Sequence, residues 1–124
     1  MKSCPTHEVS LYIGSVRGYN GDPFTREELF EAIGSYQSSK GDATLAVRIT
    51  PTTFVVRDYV EDGWEVTAIN YPRFVKKRGD IDQFMVGLAG NLLNVFQQNR
   101  ITVVGAETTV MIEAAHPEQH PAPK

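Results

Sequence analysis

Apolar residues alternate with polar or small ones along much of this chain. Near the start, Val9, Leu11 and Ile13 are separated by Ser10 and Tyr12. A repeat of two residues places one side-chain set on one face of a sheet, so this segment is predicted to be a strand. Similar segments predict four more strands, at 45–50, 54–60, 64–71, and a last one over 101–104 and 108–112 that bends at Gly105.

Turn-forming residues separate the predicted strands. Thr50-Pro51-Thr52-Thr53 is expected to form one turn, and Glu61-Asp62-Gly63 carries the Asp-Gly pair typical of a hairpin. Pro72 is expected to end the fourth strand.

Two segments have the periodicity of helices. Thr25 is followed three residues later by Glu28, a capping box that begins the first helix, and Gly41 is a plausible end. The second helix is predicted over Asp80–Asn99, which contains no proline. Its core-facing stripe is expected to comprise Ile81, Met85, Leu88, Leu92, Val95 and Phe96.

A second row of residues lies beside this stripe. It consists of Phe84, Gly87, Asn91, Asn94 and Gln98. Lysine and glutamate are more usual on a solvated helix face, so an aromatic ring, a glycine and three amides suggest a surface that contacts a ligand. An ordinary half-exposed helix edge explains the same row equally well.

The predicted order is β-α-β-β-β-α-β, which favours an α+β fold in two layers. Two helices would cover one face of a mostly antiparallel five-stranded sheet. Residues 1–113 are expected to form a single α/β domain, and 114–124 a flexible, proline-rich C-terminal tail. Tyr12 and Arg48 should lie on the uncovered sheet face. Because such mixed faces often meet another subunit, we expect a homo-oligomer, a dimer or higher.

Composition narrows the classes of partner. The chain has 124 residues and a net charge of −3, which argues against general binding of nucleic acid polymers. No apolar run is long enough to cross a membrane or to serve as a signal peptide. A cytoplasmic location is therefore expected, in the host cell if the protein is phage-encoded. Cys4 is the only cysteine, so no internal disulfide forms.

No motif predicts catalysis, a metal or a cofactor. The chain lacks a P-loop, a dinucleotide fingerprint and a nucleophile elbow. His116 and His120 are followed by prolines that prevent a helical metal pair. Asp80 and Asp82 fit a role at a helix N-terminus rather than acid–base chemistry. We therefore expect no enzyme activity, although a pocket shared between subunits would escape this argument.

Ligand binding has more support. Arg17, Tyr19 and Arg26 flank the glycine-containing loop before the first helix, and Arg73 precedes the second helix. Arginine suits phosphate, aromatic rings stack on bases, and amides bond to base edges. The candidate ligand-binding residues are Arg17, Tyr19, Arg26, Arg57, Arg73, Phe84, Asn91 and Asn94. Separate surface roles for these residues explain the pattern as well.

The chain resembles the phage anti-Thoeris proteins of the first described kind. The resemblance is carried by Phe84 and Asn94, ten residues apart on the second helix, and by scattered arginines. It implies a small α/β unit assembled into dimers or rings that sequesters cyclic ADP-ribose-type or other cyclic nucleotide signals without cleaving them. It also implies phosphate contacts from Arg26 and Arg57 and a stacking role for Tyr19. The expected function is thus a phage anti-defence sponge.

Two alternative functions stay open. Small α/β subunits also build tautomerase-like enzymes with shared sites, but those use an N-terminal proline, and here Pro5 follows four other residues. The chain also fits a structural or interaction protein that uses only its uncovered sheet face.

Overall fold

Residues 1–118, the part of the chain that the computed structural model describes, contain five strands and two helices. The elements in chain order are β1 (Glu8–Gly14), α1 (Arg26–Lys40), β2 (Arg48–Val56), β3 (Tyr59–Ile69), α2 (Arg78–Val95), β4 (Arg100–Val104) and β5 (Thr109–Glu113). A single 3₁₀ turn, Gly41–Ala43, follows α1.

The strands form one antiparallel sheet in the order β2-β3-β1-β4-β5. On β1, Val9 pairs with Ala68 and Leu11 pairs with Val66, which aligns apolar side chains on one face. All four are buried. The predicted α+β class, with five antiparallel strands and two helices, is confirmed.

Helix α2 packs against the sheet because its apolar stripe matches the buried sheet face. Met85, Leu88 and Leu92 are completely buried. Leu29 and Ile33 of α1 join the same core, so both helices lie on one side of the sheet. Burying a side chain of this size stabilises the fold by about 1.5–3 kcal/mol.

The start of α1 is held by the predicted capping box. Thr25 Oγ1 accepts a hydrogen bond from the backbone N–H of Glu28 (3.1 Å), and the Glu28 carboxylate accepts one from the backbone N–H of Thr25 (3.1 Å). These two bonds satisfy amide groups that have no partner inside the helix. The helix ends at Lys40, and Gly41 follows with a φ of 54°, so both predicted ends are confirmed.

Two predicted turns are wrong. Pro51 lies inside β2, and Asp62-Gly63 lies inside β3. Strand β2 is at the edge of the sheet, where a proline without an N–H is tolerated. The chain reverses instead at Arg57-Asp58, where Arg57 adopts a left-handed φ of 59°.

Two further boundaries differ from the predictions. The predicted last strand is divided into β4 and β5, which pair as a hairpin around Gly105–Thr108. Helix α2 ends at Val95, so Gln98 and Asn99 are outside it. Val95 itself is exposed rather than part of the core stripe.

The second row on α2 is not the open surface predicted. Phe84 is only 5% exposed, and its ring packs against Tyr36 of α1 at 5.3 Å between centroids. Tyr36 also occupies the space beside Gly87, where an added Cβ would lie 2.1 Å from the hydroxyl. Helix α2 therefore has a wider buried face because it packs on α1 as well as on the sheet.

Residues 114–118, assigned to a flexible tail by the sequence, lie against the sheet. The backbone N–H of Ala114 donates to the carbonyl of Asn99 (2.9 Å), and that of Glu118 donates to Asn99 Oδ1 (2.7 Å). The rest of the predicted tail, including His120, lies outside the described residues. No helix within residues 1–118 is both long and apolar enough to span a membrane.

Candidate active site

The hairpin of β2 and β3 extends past the rest of the sheet. The last pairing of β3 with β1 is Gly63 with Gly14. Beyond it, residues 53–62 pair with each other, and one further backbone hydrogen bond joins the Ser15 N–H to the Asp62 carbonyl (3.1 Å). We call residues 53–62 the hairpin arm. Its position creates a concave corner against the uncovered face of the sheet.

A pocket of about 370 Å³ fills this corner. Three aromatic side chains from separate segments line it: Tyr12 of β1, Tyr19 of the loop before α1, and Phe54 of β2. The rings of Tyr12 and Phe54 are perpendicular, with centroids 5.3 Å apart. We call this the aromatic pocket, and its volume lies within the usual range for small-molecule sites.

Glu61 supplies a carboxylate to the aromatic pocket. Its Oε1 atom lies where Gly14 has no side chain, since an added Cβ would be only 2.7 Å away. Among residues 1–118, Glu61 forms no ion pair. Burial, together with Glu61 and Tyr19 nearby, raises the pKa of the Tyr59 hydroxyl, which therefore stays neutral.

Asn99 supplies an unsatisfied donor. The residue lines the aromatic pocket and is 8% exposed. Its Oδ1 accepts from Glu118, but its buried Nδ2 has no hydrogen-bond partner within residues 1–118. A buried donor without a partner is costly, so it marks a position where a ligand acceptor would be stabilising.

Arg100 closes one side of the aromatic pocket. Its Nη1 donates to the Tyr19 hydroxyl (2.7 Å), and its Nε donates to Glu113 (2.8 Å). Desolvation disfavours the charged guanidinium, but the bonds to Glu113 and Tyr19 outweigh it and raise the pKa of Arg100. Glu113 offsets this cation, so the pocket's uncompensated charge comes from Glu61. The neighbouring Asp62 carboxylate accepts a hydrogen bond from Thr53 (2.6 Å) on the opposite face of β3.

A second carboxylate lies beside Tyr12 on the same sheet face. Glu65 pairs across the sheet with Tyr12. Its Oε1 accepts hydrogen bonds from Ser10 Oγ (3.2 Å) and Thr67 Oγ1 (3.1 Å), and these hydroxyls lie 2.8 Å from each other. Ser10 and Thr67 are both buried, so they fix the orientation of Glu65.

The candidate residues taken from the sequence do not converge. Tyr19 lies in the aromatic pocket, whereas Arg73 lines a different groove. Arg17 pairs with Glu28 at 3.3 Å, and Arg26 lies 5.1 Å from the centre of the Phe30 ring.

The remaining candidates are dispersed. Arg57 is in the turn of the hairpin arm, Asn94 is exposed on α2, and Asn91 is half-buried there. Phe84 belongs to the core, so its predicted role as a stacking surface is wrong.

Sequence reasoning missed Phe54, Glu61 and Asn99. Their pocket depends on strand pairing between segments far apart in the chain, which no local motif encodes. The one available signal was Gly14 at the end of a clear strand, because glycine there permits close approach of another group.

Two solved structures share this fold. A phage SAM lyase in complex with S-methyl-5'-thioadenosine is 13% identical, with a TM-score of 0.67, over 95% of this chain and 97% of that chain. A phage SAM lyase in the apo state is 12% identical, with a TM-score of 0.61, over 90% and 92%. No protein-family model matches the chain, and no curated protein does.

These comparisons correct one expectation. The chains that share the fold are phage enzymes, so the inference that this protein is not an enzyme is wrong. They are phage proteins, in keeping with the broader expectation, but they are not sequestering proteins of the anti-Thoeris kind. At 12–13% identity the comparison shows only that the fold is shared.

Proposed function

We propose that this protein is a phage enzyme that binds S-adenosylmethionine in the aromatic pocket and cleaves it to S-methyl-5'-thioadenosine. The observation that carries the proposal is the electron-rich character of that pocket. Three aromatic rings and the carboxylate of Glu61 line it, and its arginine is already paired. The fold shared with phage SAM lyase supports the same substrate.

S-Adenosylmethionine matches this lining group by group. Its sulfonium and ammonium are cations, which aromatic faces and carboxylates attract. Its adenine is a planar ring that stacks against a tyrosine or phenylalanine. Asn99 Nδ2 offers the donor that an adenine nitrogen or a ribose oxygen requires.

The reaction itself needs only one bond to break. The electron pair of the bond between sulfur and the γ-carbon of the methionyl arm moves to sulfur, which becomes a neutral thioether. The carboxylate of the same arm attacks that carbon and closes a lactone, so the charges of sulfonium and carboxylate cancel. The chain's contribution is to bind the folded substrate, with Glu61 holding the ammonium and the rings excluding water.

Glu65 is the other carboxylate available to the substrate. Strand geometry places it about 13 Å from Glu61 along β3, on the same face. Because two hydroxyls bind only its Oε1, the second oxygen stays available to a ligand. We assign it a positioning role toward the end of the substrate that Glu61 does not reach.

Assembly is the second part of the proposal. Val55, Val56 and Val60 of the hairpin arm are each more than half exposed. Exposed apolar groups of this kind are typical of interfaces. The predicted homo-oligomer therefore stays a prediction, with the hairpin arm and the uncovered sheet face as its contact surface.

The deciding experiment is to incubate the protein with S-adenosylmethionine and quantify both substrate and S-methyl-5'-thioadenosine by mass spectrometry. We expect catalytic release of the thioether. Glu61→Gln should lower kcat/KM by about ten- to a hundredfold, the cost of one hydrogen bond to a charged group. Glu31→Gln, exposed on α1, is the matched control and should leave it unchanged.

Other outcomes would overturn the proposal. Intact S-adenosylmethionine recovered in stoichiometric amount after heat denaturation would indicate sequestration instead of catalysis. Absence of binding would exclude the substrate. Cyclic ADP-ribose belongs in the same panel, because its sequestration by this chain is still a prediction.

A further inference from the structure

A second and larger concavity lies at the opposite end of the uncovered sheet face. Its volume is about 760 Å³. One wall is formed by the connection from α1 to β2 and the first residue of β2 (41–48), and the other by the last residue of β3 and the loop toward α2 (69–76). We call it the cationic groove.

The groove has the opposite charge to the aromatic pocket. Arg48, Arg73 and Lys76 line it, against the single carboxylate of Asp42. Arg48 pairs with Glu8 at 3.3 Å, and Lys76 Nζ donates to the backbone carbonyl of Asp42 at 2.8 Å. Within residues 1–118, neither Arg73 nor Lys76 forms an ion pair. The lining therefore keeps an excess of positive charge in a protein with net charge −3, which favours an anionic ligand.

The same groove offers aromatic surface. Tyr71 is 53% exposed and Phe74 is 63% exposed. The Arg73 guanidinium lies 5.3 Å from the centre of the Phe74 ring, so charge and ring are presented side by side. Leu45 and Val47 provide apolar surface between the walls.

Both walls are held in place by internal hydrogen bonds. Asn70 is buried, and its amide donates to the Pro5 carbonyl (2.9 Å) and accepts from the backbone N–H of Lys76 (2.9 Å). On the opposite wall, Gln37 Nε2 donates to the Leu45 carbonyl (2.8 Å). A groove fixed in this way loses little conformational entropy when a ligand binds.

One polar atom of the groove has no partner. Thr44 lines the groove, and its buried hydroxyl forms no hydrogen bond within residues 1–118. Such an atom is stabilised when a ligand or an ordered water supplies the missing hydrogen bond.

From these features we infer that the cationic groove is a second ligand site, which binds a nucleoside 5'-monophosphate. Arg73 and Lys76 contact the phosphate, and Tyr71 or Phe74 stacks on the base. The Thr44 hydroxyl forms a hydrogen bond with the ligand. This site is separate from the aromatic pocket. The two lie toward opposite ends of the β1–β3 pair, from Glu8–Ile69 to Gly14–Gly63, a span of about 20 Å at the usual strand rise.

The test is calorimetric titration of the intact protein with AMP in the presence of saturating S-methyl-5'-thioadenosine. Because the thioether occupies the aromatic pocket under the proposed function, heat from AMP then reports the groove. We expect binding that weakens about tenfold in Arg73→Gln and in Tyr71→Leu. Arg78→Gln is the matched control and should bind as wild type, because Arg78 is exposed, lies outside the groove and pairs with Glu107.

Each of these titrations has a result that would overturn the inference. No heat with AMP at millimolar concentration would exclude the site, and unchanged affinity in both groove variants would place AMP elsewhere. Inorganic phosphate binding as well as AMP would show that the aromatic wall is not used. If the thioether itself fails to bind, the proposed function fails, but AMP binding that is sensitive to Arg73→Gln still supports the groove.

Discussion

The carboxylate of Glu61 lies over Gly14, in space that any side chain at position 14 would fill. An added Cβ would be 2.7 Å from Oε1, and the next nearest atom is Gln98 Oε1 at 3.5 Å. The position has no left-handed φ, so alanine is compatible with the backbone there. Gly14 therefore controls where the pocket's carboxylate points without controlling whether the sheet forms.

Gly14→Ala is expected to displace the Glu61 carboxylate and to lower kcat/KM for S-adenosylmethionine about tenfold. The melting temperature should change little, because only the end of a flexible side chain must move. Gly34→Ala is the control, since nothing lies within 4 Å of a Cβ at that helical position. Activity assays and thermal melts of both variants check this, and a Gly14→Ala enzyme of full activity would contradict it.

Leu88→Ala is expected to destabilise the protein by about 2–5 kcal/mol, because a completely buried leucine leaves a cavity when truncated. Asn94→Ala, exposed on the same helix, should stay within about 0.5 kcal/mol of wild type. Denaturant unfolding of the two variants measures the difference. Equal losses would refute the assignment of buried and exposed faces on α2.

Glu28 should make the start of α1 sensitive to acid. The Glu28 carboxylate accepts a hydrogen bond from the Thr25 backbone N–H, and this bond lowers the pKa of Glu28 below its ordinary value of about 4.5. The contact with Arg17 lowers it further. A carboxyl group whose pKa is lower in the folded state stabilises the fold at pH values above the pKa of the unfolded state. This contribution is lost as the pH falls through the pKa of the folded state. The difference in melting temperature between wild type and Glu28→Gln should thus be largest near neutral pH and shrink below pH of about 4.5. A difference of equal size in acid and at neutral pH would contradict this role of the capping carboxylate.

The segment 115–118 is expected to support the aromatic pocket. Arg100 Nη1 donates to the Glu118 carbonyl (3.3 Å) as well as to Tyr19, and Asn99 accepts from the Glu118 backbone. Removing residues 115–124 should raise KM several-fold, whereas removing only 119–124 should not. Steady-state kinetics of the two truncated proteins decide this, and equal KM values would show that the segment has no such role.

Local signals predicted the helices well because their causes are local. The bonds between Thr25 and Glu28 involve neighbours in the chain, so the capping box is visible in the sequence. Strand boundaries were harder because pairing partners decide them. Pro51 is tolerated only because β2 is an edge strand, and Gly63 continues β3 because Gly14 pairs with it.

The site escaped prediction for the same reason. Phe54, Glu61 and Asn99 come together through the β1–β3 pairing and the overhang of the hairpin arm. Phe84, in contrast, was misplaced because the packing of α2 on α1 cannot be inferred from the periodicity of α2 alone.

The hairpin arm carries both the apolar surface proposed for subunit contact and two residues of the aromatic pocket. It pairs with no other strand of its own sheet, carries exposed valines at its tip, and holds Phe54 and Glu61 at its base. A partner subunit that covered the tip would therefore restrain the arm and set the geometry of the pocket. Dilution would release that restraint, so the rate per subunit would fall as the protein concentration falls.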